Sequence, residues 1–221
     1  MITVWGEGRG FRVVWLLEEM GLAYRLRSVD LLAGVENDTE FLAINPGGFI
    51  PAIQDGDVIM VESIAIMQYL MARHGPTPLA PDPRDAAFPA YLQFLNLGES
   101  DLAGPIVIVL GARNFAPQAA DRDNYSARQA LEVFESRRAL VTRRLENSPY
   151  LAGEKFTAAD ISVTYALELG KRAAGVIFNE TEREYVARTT ARDAYKRAME
   201  ACPATKAWAA RAEQDLAAAQ G

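Results

Sequence analysis

The sequence predicts a two-part chain: an α+β half built on a four-stranded mixed sheet, followed by an all-helical half. Three observations carry this. Over the first seventy-odd residues the apolar positions switch between the alternating period of a strand and the 3.6 period of a helix. Between His74 and Arg84 stand four prolines, at 76, 78, 81 and 83, and neither a helix nor a central strand runs through such a segment. Beyond it the pattern is helical almost to the end. The division is therefore 1–75, a linker over 76–85, and 86–221.

Each element of the first half has its own signal. Ile2–Trp5 is a short apolar strand and Gly6-Glu7-Gly8-Arg9-Gly10 a turn. Phe11–Met20 is a helix with Phe11, Val14, Trp15 and Leu17 on its apolar stripe, and Gly21 stands just past its end as a C-cap. Tyr24–Asp30 reads as the second strand, Glu36–Ala43 as a short helix, and Asn45-Pro46-Gly47-Gly48 as a turn. Pro51–Gln54 and Val58–Val61 are strands joined through Asp55-Gly56-Asp57, a hairpin signal. Ser63–Arg73 closes the half as a helix with Ile64, Met67, Leu70 and Met71 on one stripe. The order β-α-β-α-β-β-α places helices on both faces of the sheet.

The second half reads as five helices. Asp85–Leu110 is long, with a bend expected at Gly104-Pro105. Asp123–Asn147 follows, with Leu131, Phe134, Leu140 and Leu145 as core candidates. Ala158–Ala174 begins with Thr157-Ala-Ala-Asp160, a capping-box pattern. Glu182–Ala201 and Pro203–Ala219 complete the set, and Pro203 suits a first helical turn.

Composition narrows the function. With 50% hydrophobic and 24% charged residues, the chain has the make-up of a folded globular protein. A net charge of −6 disfavours nucleic-acid binding, which needs a basic face to displace counterions. No apolar run has membrane-spanning length, and Ala103–Leu110, the longest candidate, is short and carries Pro105. The first residues lack the basic start and apolar stretch of a signal peptide, so a cytoplasmic protein is expected. One Cys and one His leave no disulfide framework, no Cys/His zinc cluster and no two-thiol redox pair. Cys202 fits a small hydrophobe, and His74, in Arg73-His74-Gly75-Pro76, falls in a loop sequence.

Three motifs remain. They are Asn45-Pro46-Gly47-Gly48-Phe49-Ile50-Pro51, then Val61-Glu62-Ser63-Ile64-Ala65-Ile66-Met67-Gln68-Tyr69-Leu70, then Leu151-Ala-Gly-Glu-Lys-Phe156-Thr157-Ala-Ala-Asp160-Ile161-Ser162. In this order, across a βαβαββα half and a helical half, they resemble the glutathione transferase family over nearly the whole chain. The resemblance implies a thioredoxin-like domain over 1–75, an all-helical domain over 86–221, a homodimer, and glutathione as co-substrate with no metal.

The residues support this on physical grounds. Glu62 and Ser63 stand where a strand ends and a helix begins. Backbone N–H groups there are unpaired and the macrodipole is positive, so that end suits a carboxylate, with Ser63 as a further donor. Glu62 can then pair with an ammonium, and a γ-glutamyl head group carries both charges side by side. Read alone, Ser63 is equally an N-cap and Glu62 a complement to the dipole; the resemblance favours ligand binding. It also implies a cis Ile50–Pro51 bond, with the Ile50 backbone turned to pair with a peptide ligand in strand fashion; the alternative is a trans proline opening an edge strand. Phe49 stands where many family members carry a polar or basic residue, a departure that weakens the expected contact with the glycine carboxylate.

The resemblance also calls for a group that activates the thiol, ordinarily Tyr at the end of the first strand, or Ser or Cys at the first helix start. Here Trp5 and Gly10 stand at those places. The expected substitutes are the Gly10 and Phe11 N–H groups, the charge of Arg9 or Arg12, and the Trp5 indole N–H as a donor. Arg9 could instead be a loop charge, Arg12 a solvated helix face, and Trp5 core packing. A dinucleotide reading of Gly6–Gly10 fails because Phe11 stands where the fingerprint needs glycine. Glu99 and Asp101 are candidates to reach a ligand across a dimer interface, or else a solvated face. Arg137, Arg138, Arg143 and Arg144 read as a salt-bridged face.

The function expected is transfer of the glutathione thiolate to a small-molecule electrophile, with Phe49, Ile50, Pro51, Glu62 and Ser63 binding glutathione and Arg9, Gly10 and Trp5 serving catalysis. The alternative is a non-catalytic binding module of the same fold.

Overall fold

Four strands of four residues each form one mixed sheet: β1 (Ile2–Trp5), β2 (Tyr24–Arg27), β3 (Ala52–Asp55) and β4 (Val58–Val61). Their order is β2-β1-β3-β4, with β1–β2 parallel and the other two pairs antiparallel. The computed structural model describes residues 1–31 and 34–218. Two compact units are present: Met1–Thr77 with Ala191–Ala207, and Pro78–Thr190 with Trp208–Gly221. The linear division at 76–85 thus differs from the spatial one, because 191–207 returns to the first unit.

In the first unit, α1 (Phe11–Met20) and α3 (Ser63–His74) pack together, and α2 (Thr39–Ile44) lies against Trp5 through Phe41. Residues 11–17 of α1 are all buried, with α3 and α9 (Asp193–Ala201) packed against the helix. Tyr195 of α9 meets Phe11 and Trp15 edge-on, at 5.5 and 4.9 Å between ring centres. Gly21 ends α1 in the left-handed conformation (φ 64°) that glycine adopts without a Cβ penalty.

Three elements differ from expectation. The second strand stops at Arg27, since β1 ends at Trp5, its register partner, and residues 28–30 have no strand to pair with. The short second helix splits into a 3₁₀ turn at Val35–Asn37 and α2, because the Asp38 carboxylate accepts the Phe41 N–H (3.0 Å) and starts a new helix there. The expected helix over Glu182–Ala201 is two, α8 (Glu180–Thr190) and α9, separated at Arg192. Arg192 has an extended backbone, and its guanidinium grips both oxygens of Glu19 on α1 at 2.6 and 2.7 Å. His74 is the last residue of α3 rather than a loop residue, with Nε2 2.7 Å from Asp55 Oδ2.

Cys202 ends α9 and is fully buried, and burial pushes its thiol up to about 12. A thiolate-directed disulfide reagent at pH 8 should therefore leave the native protein unmodified and titrate one thiol per chain only after unfolding. Rapid native labelling would show that the segment around Cys202 opens.

The second unit is built around α7 (Ala158–Ala174), buried at every position from 158 to 167. The expected capping box is formed: Thr157 and Asp160 exchange hydrogen bonds at the start of α7. The long helix expected over Asp85–Leu110 is α4 (Phe88–Leu97), a π-helical stretch over Gly98–Ala103, and α5 (Gly104–Phe115). The irregularity precedes Pro105, which has no N–H to return to the turn before it. Gly98 lies so close to α7 that a Cβ there would overlap Ser162, whose hydroxyl donates to Leu95 O (2.8 Å). By length and composition Phe88–Asn114 would also cross a membrane, contrary to expectation, but 44% of its apolar window is buried inside the protein.

On α6 (Tyr125–Leu145) the buried stripe is Ala127, Ala130, Phe134, Val141 and Leu145. Leu140 lies off that stripe and is exposed, and Leu131 is half-buried. On the same helix Arg138 pairs with Glu135 and Glu182. The last helix, α10, spans Pro203–Ala218, and residue 219 lies outside the described residues.

Candidate functional site

Ser63 is the first residue of α3, and Glu62 before it holds φ 71°, ψ 106°. A non-glycine residue there costs about 1–3 kcal/mol of local strain, a cost found where function dictates geometry. The strain turns the chain sharply from β4 into α3. Glu62 O accepts the first helical bond, from Ile66 N–H (2.9 Å), while its side chain caps nothing and is exposed. The start of α3 thus has a positive dipole end without a side-chain cap, a buried hydroxyl and an exposed carboxylate.

The Ile50–Pro51 bond is cis. Asn45, buried, fixes the turn before it: Nδ2 donates to Phe49 O (2.6 Å) and Oδ1 accepts from Gly47 N–H (3.0 Å). The Phe49 side chain is exposed. The Ile50 N–H and C=O make no hydrogen bond among the described residues. They are unpaired strand-like groups beside β3, able to pair with an extended peptide.

Residues 6–10 lie against Ile50 and Pro51. A Cβ on Gly8 would stand 3.4 Å from Ile50 Cδ1, and one on Gly10 would stand 3.3 Å from Pro51 Cβ and 3.8 Å from Val4 Cγ1. The structure therefore brings the expected thiol-activating loop to the expected peptide-binding residues. It also removes two expected donors. Gly10 N–H donates to Glu7 O (2.9 Å) and Phe11 N–H to Gly8 O, because residues 8–10 wind as a 3₁₀ turn into α1. Neither is left to face a thiolate.

Trp5 is also displaced from its expected role. Its neighbour Val4 faces Gly10, and successive strand residues face opposite ways. The indole stacks on Phe41 (6.1 Å) with the Arg27 guanidinium 4.7 Å from its ring centre, on the α2 side of the sheet. Its Nε1 is buried there without a hydrogen-bond partner among the described residues. Arg9, half-buried in the 3₁₀ turn, remains with the loop.

Two charged residues take roles that sequence reasoning missed. Arg12 is fully buried, and its Nη1 donates to Ser63 Oγ at 2.9 Å. An oxygen that accepts from a guanidinium keeps its own hydrogen for donation elsewhere, so Arg12 orients the Ser63 hydroxyl. The signal was present: Arg12 lies among Phe11, Val13, Val14 and Trp15, and a helix that is apolar all round is buried. A charge inside it needs a specific partner. Glu7, also buried, accepts from Thr205 N–H (2.8 Å), Thr205 Oγ1 (3.1 Å) and Ala204 N–H (3.4 Å), an anion at the start of α10. No local pattern announces that partner.

Glu99 and Asp101 lie in the π-helical stretch. Asp101 pairs with Arg137 (3.4 Å) and accepts from Ser100 Oγ (2.6 Å).

Comparisons with known proteins point to one family. A family model described as the glutathione S-transferase N-terminal domain matches residues 2–72. Glutathione S-transferase 3 of Zea mays is 35% identical over 157 residues, 67% of this chain and 68% of that one. The disulfide-bond oxidoreductase YfcG of Escherichia coli (strain K12) is 37% identical over 162 residues, 69% of this chain and 72% of that one. A theta class glutathione S-transferase from the citrus canker pathogen Xanthomonas axonopodis pv. citri, solved with glutathione bound, superposes with a TM-score of 0.76 at 28% identity, covering 89% of this chain and 96% of that one. The first unit's sheet is thus the thioredoxin-like domain of such proteins. A third or more of the aligned residues are shared with two of these relatives across two thirds of either chain, and the chain belongs to the glutathione transferase family.

Proposed function

We propose that this protein binds glutathione in the first unit and transfers its thiolate to an electrophilic carbon of a small molecule. The observation that carries the reading is the convergence of Ser63, held by Arg12 at the uncapped start of α3, with the unpaired Ile50 backbone and the loop over residues 6–10. The Ser63 hydroxyl and the first α3 N–H groups would take the γ-glutamyl carboxylate, and Glu62 the ammonium. Ile50 would pair with the cysteinyl peptide unit, with Pro51 and Phe49 flanking it. Proximity and a raised thiolate fraction would supply the rate.

Arg9 is the group left to lower the thiol's pKa, since Trp5 faces the other side of the sheet and the Gly10 and Phe11 N–H groups are engaged. Titration of bound glutathione by thiolate ultraviolet absorbance tests this. Arg9→Ala should raise the apparent pKa of the bound thiol by about one unit. A bound thiol that titrates as in free solution in the unaltered protein would remove the activation step and favour the non-catalytic module.

A second reading rests on one observation, the 37% identity to a relative named as a disulfide-bond oxidoreductase. Cys202 is buried, so disulfide exchange here would run through glutathione's own sulfur. Reduction of a small disulfide by glutathione, measured beside conjugation of an aryl halide, separates the two. By family resemblance the protein would act as a homodimer, in which Glu99 and Asp101 of one copy reach the ligand of the other; sedimentation at micromolar concentration tests the dimer.

A further inference from the structure

Gly6, Gly8 and Gly10 alternate with Glu7 and Arg9, and glycine loses the most backbone freedom when a loop is fixed. Backbone bonds hold this loop at both ends: Gly6 N–H donates to Arg27 O (2.8 Å) and Gly10 N–H to Glu7 O (2.9 Å). A third hold comes from 198 residues along the chain. The buried Glu7 side chain reaches the start of α10, where Oε2 accepts from Thr205 N–H (2.8 Å) and Thr205 Oγ1 (3.1 Å), and Oε1 from Ala204 N–H (3.4 Å). Those N–H groups are the unpaired donors of a helix start, at the positive end of its dipole. The segment 191–207 belongs to the first unit, so the loop that carries Arg9 is fixed from within that unit by a distant part of the chain.

We propose that Glu7 is a positioning residue for the thiol: gripped by Ala204 and Thr205, it sets the place of Arg9, and through Arg9 the ease with which bound glutathione gives up its thiol proton. The inference rests on the proposed placement of glutathione's sulfur beside residues 6–10. A cation lowers a thiol's pKa from within about 4–6 Å, so a loop displaced by about one or two ångström forfeits much of the effect. The charge of Glu7 and its grip have opposite signs. A buried anion beside a thiolate raises the thiol's pKa, whereas Arg9 held in place lowers it. Substitutions that change the reach or the charge separately therefore tell the two apart.

Thiolate absorbance of glutathione bound to the full chain is the readout. Glu7→Asp keeps the charge and shortens the reach by a methylene, and should raise the apparent pKa of the bound thiol by about half a unit or more. Glu7→Gln removes the charge and keeps an acceptor for Thr205 N–H, and should stay within about 0.3 unit of the natural protein. In an Arg9→Ala background Glu7→Asp should add less than about half of its own shift, because both changes act through one cation. S-methylglutathione, which has no thiol to titrate, should bind Glu7→Asp within about threefold of its affinity for the natural protein. A loop that had come loose would release Ile50, which a Cβ on Gly6 would overlap, and would lose this ligand too. An unmoved thiol in Glu7→Asp, a thiol lowered by half a unit in Glu7→Gln, full additivity with Arg9→Ala, or loss of S-methylglutathione along with the thiol shift would each overturn the proposal. If glutathione does not bind the natural protein, or its thiol titrates there as in free solution, thiol activation and this inference fall together. A natural thiol that titrates low and a Glu7→Asp thiol that matches it strike the role of Glu7 alone.

Discussion

Asp160→Ala should lower the melting temperature by about 10 °C, the largest single-residue effect on stability expected in this protein. The carboxylate of Asp160 is fully buried and accepts four hydrogen bonds: from Leu151 N–H (2.9 Å), Thr157 N–H (2.8 Å), Thr157 Oγ1 (3.2 Å) and Tyr185 OH (3.1 Å). It therefore joins the start of α7, the 148–157 turn and α8. Alanine leaves at least two buried N–H donors without acceptors, at about 1–3 kcal/mol each. For a chain of this length each kcal/mol moves the midpoint by about 2–4 °C. Calorimetry or a urea midpoint measures it, and a shift below about 3 °C would mean that α7 starts without this cap.

The same residue sets a pH dependence. Burial pushes the Asp160 carboxyl up to about 6, although its hydrogen bonds from Leu151, Thr157 and Tyr185 pull the other way. Its ordinary value is 3.8, so the folded protein holds the proton more tightly than the unfolded chain. That contribution is complete below about pH 4 and is lost as the pH rises through about 6. The stability of the natural protein relative to Asp160→Asn, which has no titrating group there, should increase as the pH falls from 7 to 5. A difference that stays flat over that window would show that the hydrogen bonds, and not burial, control this carboxyl.

Ser63→Ala should weaken glutathione binding by about tenfold to a hundredfold, because it removes a hydroxyl donor to a carboxylate, worth about 1.5–3 kcal/mol. Calorimetric titration reads the affinity directly. The substitution also removes one acceptor from the buried Arg12 guanidinium, so some loss of stability accompanies it. Arg12→Lys separates the two effects. It keeps a buried cation but loses the guanidinium fork, and should lose affinity through the misdirected Ser63 hydroxyl rather than through a missing one. The double change should then cost less affinity than the sum of the two single changes, since Arg12 and Ser63 share a hydrogen bond. Unchanged affinity in Ser63→Ala would remove the start of α3 from the glutathione site.

Much of the fold was legible in the chain. Residues 11–20 and 158–174 are helices at the predicted bounds because the signals are local: a 3.6 apolar period, a glycine past the end at 21, and a Thr157–Asp160 cap within one turn. Glu62, Ser63, Ile50 and Pro51 were legible as candidates for the same reason, since each lies at an element boundary whose backbone chemistry follows from its neighbours. The break at Arg192 was not. Residues 182–201 carry a continuous helical pattern, and the interruption answers Glu19, far away in sequence.

By itself, then, the sequence determined where turns of backbone begin and end, which residues stand at the start of α3, and that no hydroxyl or thiol occupies Trp5 or Gly10. Only the tertiary structure decided which donors survive for chemistry. The Gly10 and Phe11 N–H groups are consumed by a 3₁₀ turn, Trp5 is turned to the opposite face, and Arg12 is folded inward onto Ser63. The physical reason is that hydrogen bonds saturate. A donor's availability depends on every acceptor the fold brings near it, and those acceptors come from parts of the chain that local sequence does not see.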